Sequence, residues 1–379
     1  MLNYKRKPKV LILQRTIPRY REALFSGLSN LDGYDVSLVV CADARGVKAS
    51  NSFDHSSIKV KLLKTQSFEI LGRRFWRKVG LFRYLWRERP DIIVCEAESH
   101  FVALWTAIAY KFIATRKVKL VEWCFFRLPG VDSERSFLHK VFKGSARYAM
   151  DHFISYTTFG GQYLRRLGYD DKLISIAVNV CDTQAWSRKF FEIEAAIGQN
   201  AGNDGVIRPF RIIYAGTLSI AKRPNIMVEL AMRLRDYNCE FLIAGGGELE
   251  DELSRRVSKE RLQNIQILGH VGDDLGRLIY EADVLLVPGR GGIAISEALC
   301  LGCPVITCQA DGVELDLIRS EGVGEVTGGD SVTHFEAAIL RRMARTESRQ
   351  VVRSECREVV GEFNTNAMIE AFSEAFRKH

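Results

Sequence analysis

Short β-branched runs alternate with amphipathic stretches along the chain, the pattern of parallel sheets assembled from strand-helix-strand units. In the first half this predicts strands at Lys9–Gln14, Asp35–Val40, Ile58–Leu63, Asp91–Glu96, Val118–Trp123, His152–Tyr156 and Leu173–Val178. Helical periodicity falls between them, at Tyr20–Asn30, Phe101–Ala114 and Phe137–Ala149. A second series has strands Phe210–Ala215, Glu240–Ala244, Ile265–Gly269, Val284–Val287 and Pro304–Thr307. Its helices are Lys222–Arg235, Leu249–Lys259, Leu275–Glu281 and Ile293–Leu301, with three more near Thr333–Arg345, Arg349–Phe363 and Met368–Arg377.

Between Asp182 and Arg208 the apolar pattern breaks, and Gly198–Gly205 (GQNAGNDG) is the most loop-like stretch of the chain. The division this predicts is a domain over 1–182, a linker over 183–207 and a domain over 208–379, with the final helix free to pack back on the first. The fold class is then α/β: two Rossmann-like, doubly wound domains facing a central cleft. Ligands of open α/β sheets sit at the carboxyl ends of the strands.

Composition narrows the classes. The chain has 379 residues, 47% hydrophobic and 26% charged, values of a folded globular protein rather than a disordered or collagenous one. No apolar run approaches the ~20 residues of a membrane span, and the apolar core of the N-terminus is too short for a secretory signal, so a cytoplasmic location is expected. Nine cysteines without extracellular context read as reduced thiols, and the lone C-x-x-C at Cys300 and Cys303 lacks the second pair a zinc site needs. No clustered Asp/Glu motif calls for a metal.

The formal charge of +8 hides a division. Residues 1–190 carry 33 Lys+Arg against 17 Asp+Glu, net +16, while residues 191–379 carry 21 against 29, net −8. A basic half fits nucleic acid, an anionic membrane or an anionic substrate. Nucleic acid is disfavoured, because no helix-turn-helix, RNA-binding signature or zinc module accompanies the charge.

The most specific stretch is Pro288–Ile306 (PGRGGIAISEALCLGCPVI). A strand ends at Pro288, Gly291 and Gly292 permit a tight turn, and a helix then starts with unpaired N–H groups suited to phosphate. Glu297 lies one turn inside that helix, where its carboxylate could accept hydrogen bonds from sugar hydroxyls or simply complement the helix dipole. A second element, Tyr214–Pro224 (YAGTLSIAKRP), sets Lys222 and Arg223 at a helix start, an end cations normally avoid. Either an anion binds there or both cations are solvated.

In these motifs the second half resembles family 4 of the retaining, nucleotide-sugar-dependent glycosyltransferases of GT-B fold. They run in order as G-x-L-x-x-x-K at 216–222, GGGEL at Gly245–Leu249, ILGHV at Ile267–Val271, GGIAISEAL, and G-x-P-V-I. The resemblance implies a nucleoside-diphosphate sugar as donor and no further cofactor. Lys222 would meet the diphosphate, the backbone of Gly292, Ile293 and Ala294 would hold phosphate, and Glu297 would bind the ribose hydroxyls. Gly216, Thr217 and Gly246 would line the donor, and His270 and Val271 would face the nucleobase. The chain departs from the family pattern at Thr217, where Arg is frequent, and at Gly289, where a first Glu is frequent. Arg223 or Arg290 could replace the lost cation, and the form P-G-x-G-G-x-x-x-x-E-A resembles a bacterial surface-polysaccharide subset without that Glu.

The opening Val10–Phe25 (VLILQRTIPRYREALF) resembles that subset more weakly, making Arg15, Tyr20 and Arg21 candidate acceptor-side contacts. The family's frequent first-domain histidine is missing from Glu122–Arg127 (EWCFFR). Glu98, His100 and Glu122 are therefore the candidates to support the reacting centre. Finally, the spacing in Arg73–Arg87 (RRFWRKVGLFRYLWR) predicts one helix with Phe75, Val79, Phe82 and Trp86 on one face and Arg73, Arg74, Arg77, Arg83 and Arg87 around it. With Trp76 beside them, these suit the interface of an anionic bilayer or the rim of a core helix.

The expected activity is transfer of a sugar to a lipid-linked or saccharide acceptor in surface-polysaccharide assembly, by a protein peripheral on the inner face of the cell membrane. A nucleotide-sugar epimerase of the same fold, or a catalytically weakened membrane-associated scaffold, would use the same anion seat.

Overall fold

The computed structural model describes residues 6–41, 58–70, 73–96, 102–130, 146–198 and 208–377. The chain divides into two compact units, one of Met1–Arg127, Val131–Val178 and Asn366–His379, the other of Leu128–Gly130 and Asn179–Thr365.

In the first unit the strands are β1 (Lys9–Leu13), β2 (Asp35–Cys41), β3 (Lys59–Leu63), β4 (Thr65–Ile70), β5 (Arg73–Lys78), β6 (Ile92–Glu96), β7 (Lys119–Cys124), β8 (His152–Ser155) and β9 (Ile174–Ile176). Seven of them form a sheet in the order β3-β2-β1-β6-β7-β8-β9, parallel throughout. The central strands are continuous apolar runs because both faces are covered: Val10, Leu11, Ile12, Ile93 and Val94 are fully buried. The C-terminal helix Thr365–Arg377 packs on this unit, with Phe372 edge-on to Trp123 and Phe376 edge-on to Tyr34. Gly27 makes room for it, since a Cβ there would lie 2.3 Å from the Ile369 side chain.

Two features differ from the sequence reading. The stretch 73–87 is not one helix: Arg73–Lys78 is β5, which pairs antiparallel with β4 and brings Phe75 opposite Phe68. Gly80 then turns the chain at φ +77°, and a separate helix runs from Leu81 to Glu88. The apparent stripe joined a strand to a helix, so Arg73, Arg74, Phe75, Trp76 and Arg77 do not share a helical face with Trp86. In the predicted linker, Thr183–Gly198 is a helix of the second unit, its start capped by the Asp182 side chain. Phe190 of that helix packs on Tyr280; residues 199–207 lie outside the described residues, as does most of the predicted helix at Phe137–Ala149.

The second unit holds β10 (Phe210–Ala215), β11 (Cys239–Ala244), β12 (Ile265–Gly269), β13 (Val284–Val287), β14 (Val305–Cys308) and β15 (Gly324–Thr327). They form one parallel sheet in the order β12-β11-β10-β13-β14-β15. The chain winds outward from β10 to β12 and returns to β13 on the other side, so the loops after β10 and β13 border a topological switch point. A short helix at Val313–Leu317 and the strand β15 are elements the apolar pattern did not mark. All nine cysteines are buried, free thiols.

Candidate active site

The second unit gathers its candidate residues at that switch point. After β10 the chain passes Gly216, Thr217 and Leu218 into a 3-10 turn, Ile220–Lys222. Two glycines let the next loop close on it: a Cβ at Gly245 would lie 1.9 Å from the Gly216 carbonyl, and one at Gly247 would lie 2.4 Å from that of Leu218. Gly245 has φ +143°, a conformation reserved for glycine. The Tyr214 hydroxyl donates to the Thr217 carbonyl at 2.8 Å, and the Leu218 amide donates to Gly246 at 3.1 Å. The loop carrying Lys222 is thereby fixed by backbone contacts.

After β13, residues Pro288–Gly291 lead into the helix Gly292–Cys300. Its first amides, at Gly292, Ile293 and Ala294, have no preceding turn to bond to. Ser296 anchors the helix by accepting the Cys181 amide and donating to the Ile293 carbonyl, both at 2.9 Å.

Lys222, on the turn after β10, and Glu297, on the helix after β13, lie close enough to act on one another electrostatically. Burial lowers the Lys222 ammonium from its usual range, while the nearby Asp311 and Glu297 carboxylates pull it back up. Burial raises the Glu297 carboxyl to about 7, against the downward pull of Lys222. Neither side chain forms a hydrogen bond or ion pair among the described residues. Two desolvated groups of opposite charge, lacking close partners, can receive a ligand bearing both an anion and hydroxyls.

Arg223 is engaged elsewhere. Its guanidinium donates to the Pro288 carbonyl at 3.2 Å and to Asp330 at 2.9 Å and 2.7 Å, so it ties the β10 and β13 loops to the loop after β15. Arg290 is exposed with no side-chain partner among the described residues, which leaves it as the cation available beside the helix start. His270 is exposed and Val271 half-buried just past β12.

Asp311 and Glu314 belong to this site and were missed in the sequence. Asp311 faces Lys222 and accepts the Val313 amide at 3.2 Å. Buried Glu314 accepts the Ala310 and Gly312 amides at 2.8 Å and 3.0 Å, holding that loop in shape. The signal was the Asp-Gly turn after β14, a turn sequence common enough to carry no chemistry alone.

Gly289 has a steric reason. A Cβ there would lie 2.7 Å from the Ala221 carbonyl and 3.1 Å from the Lys222 backbone, so this position admits no side chain while the Lys222 turn stays closed. Gly289→Ala is expected to cost ~1–3 kcal/mol in thermal unfolding. Gly289→Glu is expected to abolish donor binding in a titration, rather than restore a carboxylate to the site.

In the first unit, Arg21 is buried and engaged by residues of that unit. Its guanidinium donates to Glu96 at 2.8 Å, Gln14 at 3.1 Å and Tyr156 at 2.5 Å, and stacks 4.5 Å from the Trp123 ring. Glu96 also accepts from the Tyr156 hydroxyl at 2.6 Å, and Arg21 holds its carboxyl below the usual range against the cost of burial. Arg15 and Tyr20 are half-buried at this edge, and Glu122 is buried in β7. Glu98 and His100 lie outside the described residues. Among the described residues, no group of three or more His, Cys, Asp or Glu is placed to hold a metal ion.

Residues 206–359 match the family model described as Glycosyl transferases group 1, so the second unit carries a domain of that kind. The match covers less than half of the chain. No curated protein sequence matches. Among solved structures, the chain resembles Anabaena Alr3699/HepE in complex with UDP, at 15% identity, TM-score 0.72, over 97% of this chain and 99% of that one. It also resembles the lipopolysaccharide outer core galactosyltransferase WaaB, at 12% identity, TM-score 0.68, over 97% and 99%. A UDP-GlcNAc 2-epimerase from Neisseria meningitidis matches at 12% identity, TM-score 0.63, over 98% and 100%. These likenesses establish the fold: two Rossmann-like parallel-sheet domains of the GT-B type.

Proposed function

We propose that the chain is a retaining glycosyltransferase of family 4, moving a sugar from a nucleoside-diphosphate sugar to a lipid-linked or saccharide acceptor in surface-polysaccharide assembly. The observation that carries the donor side is the desolvated Lys222–Glu297 pair beside a free helix start. The amides of Gly292, Ile293 and Ala294 receive phosphate oxygens, Lys222 and Arg290 supply positive charge, and Glu297 accepts the ribose hydroxyls. As the glycosidic bond to phosphate breaks, negative charge grows on the diphosphate, and these preorganised donors stabilise it. Retention of anomeric configuration and the acceptor class rest on the family resemblance, and the group 1 match supports transfer over epimerisation.

Thermal shift with a panel of nucleoside-diphosphate sugars tests the donor, beginning with UDP-glucose because the Anabaena neighbour was also solved with that compound. A stabilising donor that stays intact until an acceptor is added supports the proposal. Conversion of the donor alone to its epimer would reject transfer, and failure of any nucleotide sugar to bind would favour a scaffold. Because fixed cations and amides meet the departing diphosphate, turnover is expected to survive a chelator within about twofold. Loss of activity restored by magnesium would overturn that part.

A further inference from the structure

We propose that the outer face of helices Leu81–Glu88 and Ala103–Ile113 docks the first unit onto an anionic lipid bilayer. Ala103–Ile113 (ALWTAIAYKFI) is apolar nearly all round, a composition that normally marks a buried helix. Its inner side buries Ala103, Ala107, Ile108 and Tyr110. Its other side presents Trp105, Ala109, Phe112 and Ile113, at i, i+4, i+7 and i+8, as a single stripe. Trp105 is 39% exposed, Phe112 74% and Ile113 57%.

The neighbouring helix extends this surface. Leu81 and Leu85 are buried, while Phe82 and the 49%-exposed Trp86 stack on one another with ring centroids 6.3 Å apart. Both rings meet Tyr110 edge-on, at 6.2 Å and 6.3 Å, which joins the two helices' aromatic surfaces. Exposed apolar surface of this extent marks an interaction site.

Charge chooses the occupant. Arg83 and Arg87 follow Phe82 and Trp86 by one position, Arg89 and Arg116 lie close enough to act on the Tyr110 hydroxyl, and exposed Lys117 follows the second helix. The nearby acids are already matched: Glu88 by Lys9 and Arg87, Asp91 by Arg6 and Arg116. Aromatic rings bordered by Arg83, Arg89 and Lys117, cations in excess of what Glu88 and Asp91 match, fit the headgroup layer, where rings enter the acyl boundary and cations meet phosphate. A second copy of the chain would have to bring the same cations against themselves. Of the residues expected from sequence at a membrane, Trp86 is on this face; Arg74 pairs with Glu69 and Arg77 bonds Gln66 on the hairpin.

The surface does not depend on the transferase reading, and vesicles test it without donor or acceptor. Full-length protein is expected to sediment with phosphatidylcholine vesicles containing phosphatidylglycerol, and not with phosphatidylcholine alone. Phe112→Ser with Ile113→Ser should weaken binding about tenfold or more, and so should Arg83→Glu with Arg87→Glu. Should these variants fold poorly, bromine-labelled acyl chains should quench the wild-type tryptophan fluorescence, with much of that quenching lost in Trp105→Phe. Binding indifferent to lipid charge, absence of binding, quenching unchanged by Trp105→Phe, or a dimer that Phe112→Ser with Ile113→Ser converts to monomer would each overturn the proposal.

Discussion

Replacing Lys222 with Met is expected to lower kcat for sugar transfer by about 10²–10³, with a smaller change in donor KM, as for loss of one preorganised charge donor. The ammonium is held against burial by Asp311 and Glu297, so the free site already contains it in a poorly solvated place. Charge on the diphosphate grows as its bond to the sugar breaks, so the attraction is greater in the transition state than in the bound donor. Lys222→Arg should recover only part of the loss. The Lys222 turn lies against the Gly289 backbone, and a planar fork cannot occupy the place of a compact ammonium without moving it. Single-turnover rates with saturating donor check this, and a Met variant within about threefold of wild type would remove Lys222 from the chemistry.

Much of the second unit's framework was legible in the sequence, because it depends on short-range pattern. β10, β12 and β13 begin and end where alternating apolar runs place them, and Gly291 with Gly292 marks the turn into the helix. What failed were cases in which one-dimensional spacing mimics or hides a three-dimensional arrangement. Phe75, Val79, Phe82 and Trp86 have helical spacing, yet Gly80 at positive φ lies among them, and Phe68 seven residues upstream is the strand partner of Phe75. For Arg21, a candidate acceptor-side contact in the sequence, the buried partners Glu96 and Tyr156 were hidden because they are 75 and 135 residues away. Gly289 reads as a lost carboxylate until the Ala221 carbonyl shows that the position is closed to any side chain. Arg223 reads as a phosphate contact until Pro288 and Asp330 account for its fork.

Donor affinity is expected to rise about tenfold between pH 6 and pH 8 and to lose that dependence in Glu297→Gln. With its carboxyl pushed up to about 7 by burial, Glu297 is mostly protonated at the lower pH and mostly ionised at the higher. Only the ionised form can accept from two ribose hydroxyls at once without competing as a donor. The titration must use an intact nucleotide sugar, whose diphosphate has no group ionising near neutrality, because a terminal phosphate titrates near pH 6 by itself. Stability should move the opposite way. The Glu297 pKa is higher in the folded than in the unfolded chain, so its contribution is present at low pH and lost as pH rises through about 7. Glu297→Gln should therefore melt higher than wild type at pH 8, by ~1–2 kcal/mol of stability, with the difference shrinking toward pH 5. A variant that binds donor more weakly yet unfolds less readily identifies a carboxylate kept at a structural cost for its ligand. Wild-type affinity that is flat from pH 6 to pH 8, or the same slope in Glu297→Gln, would assign the ribose contact to another residue.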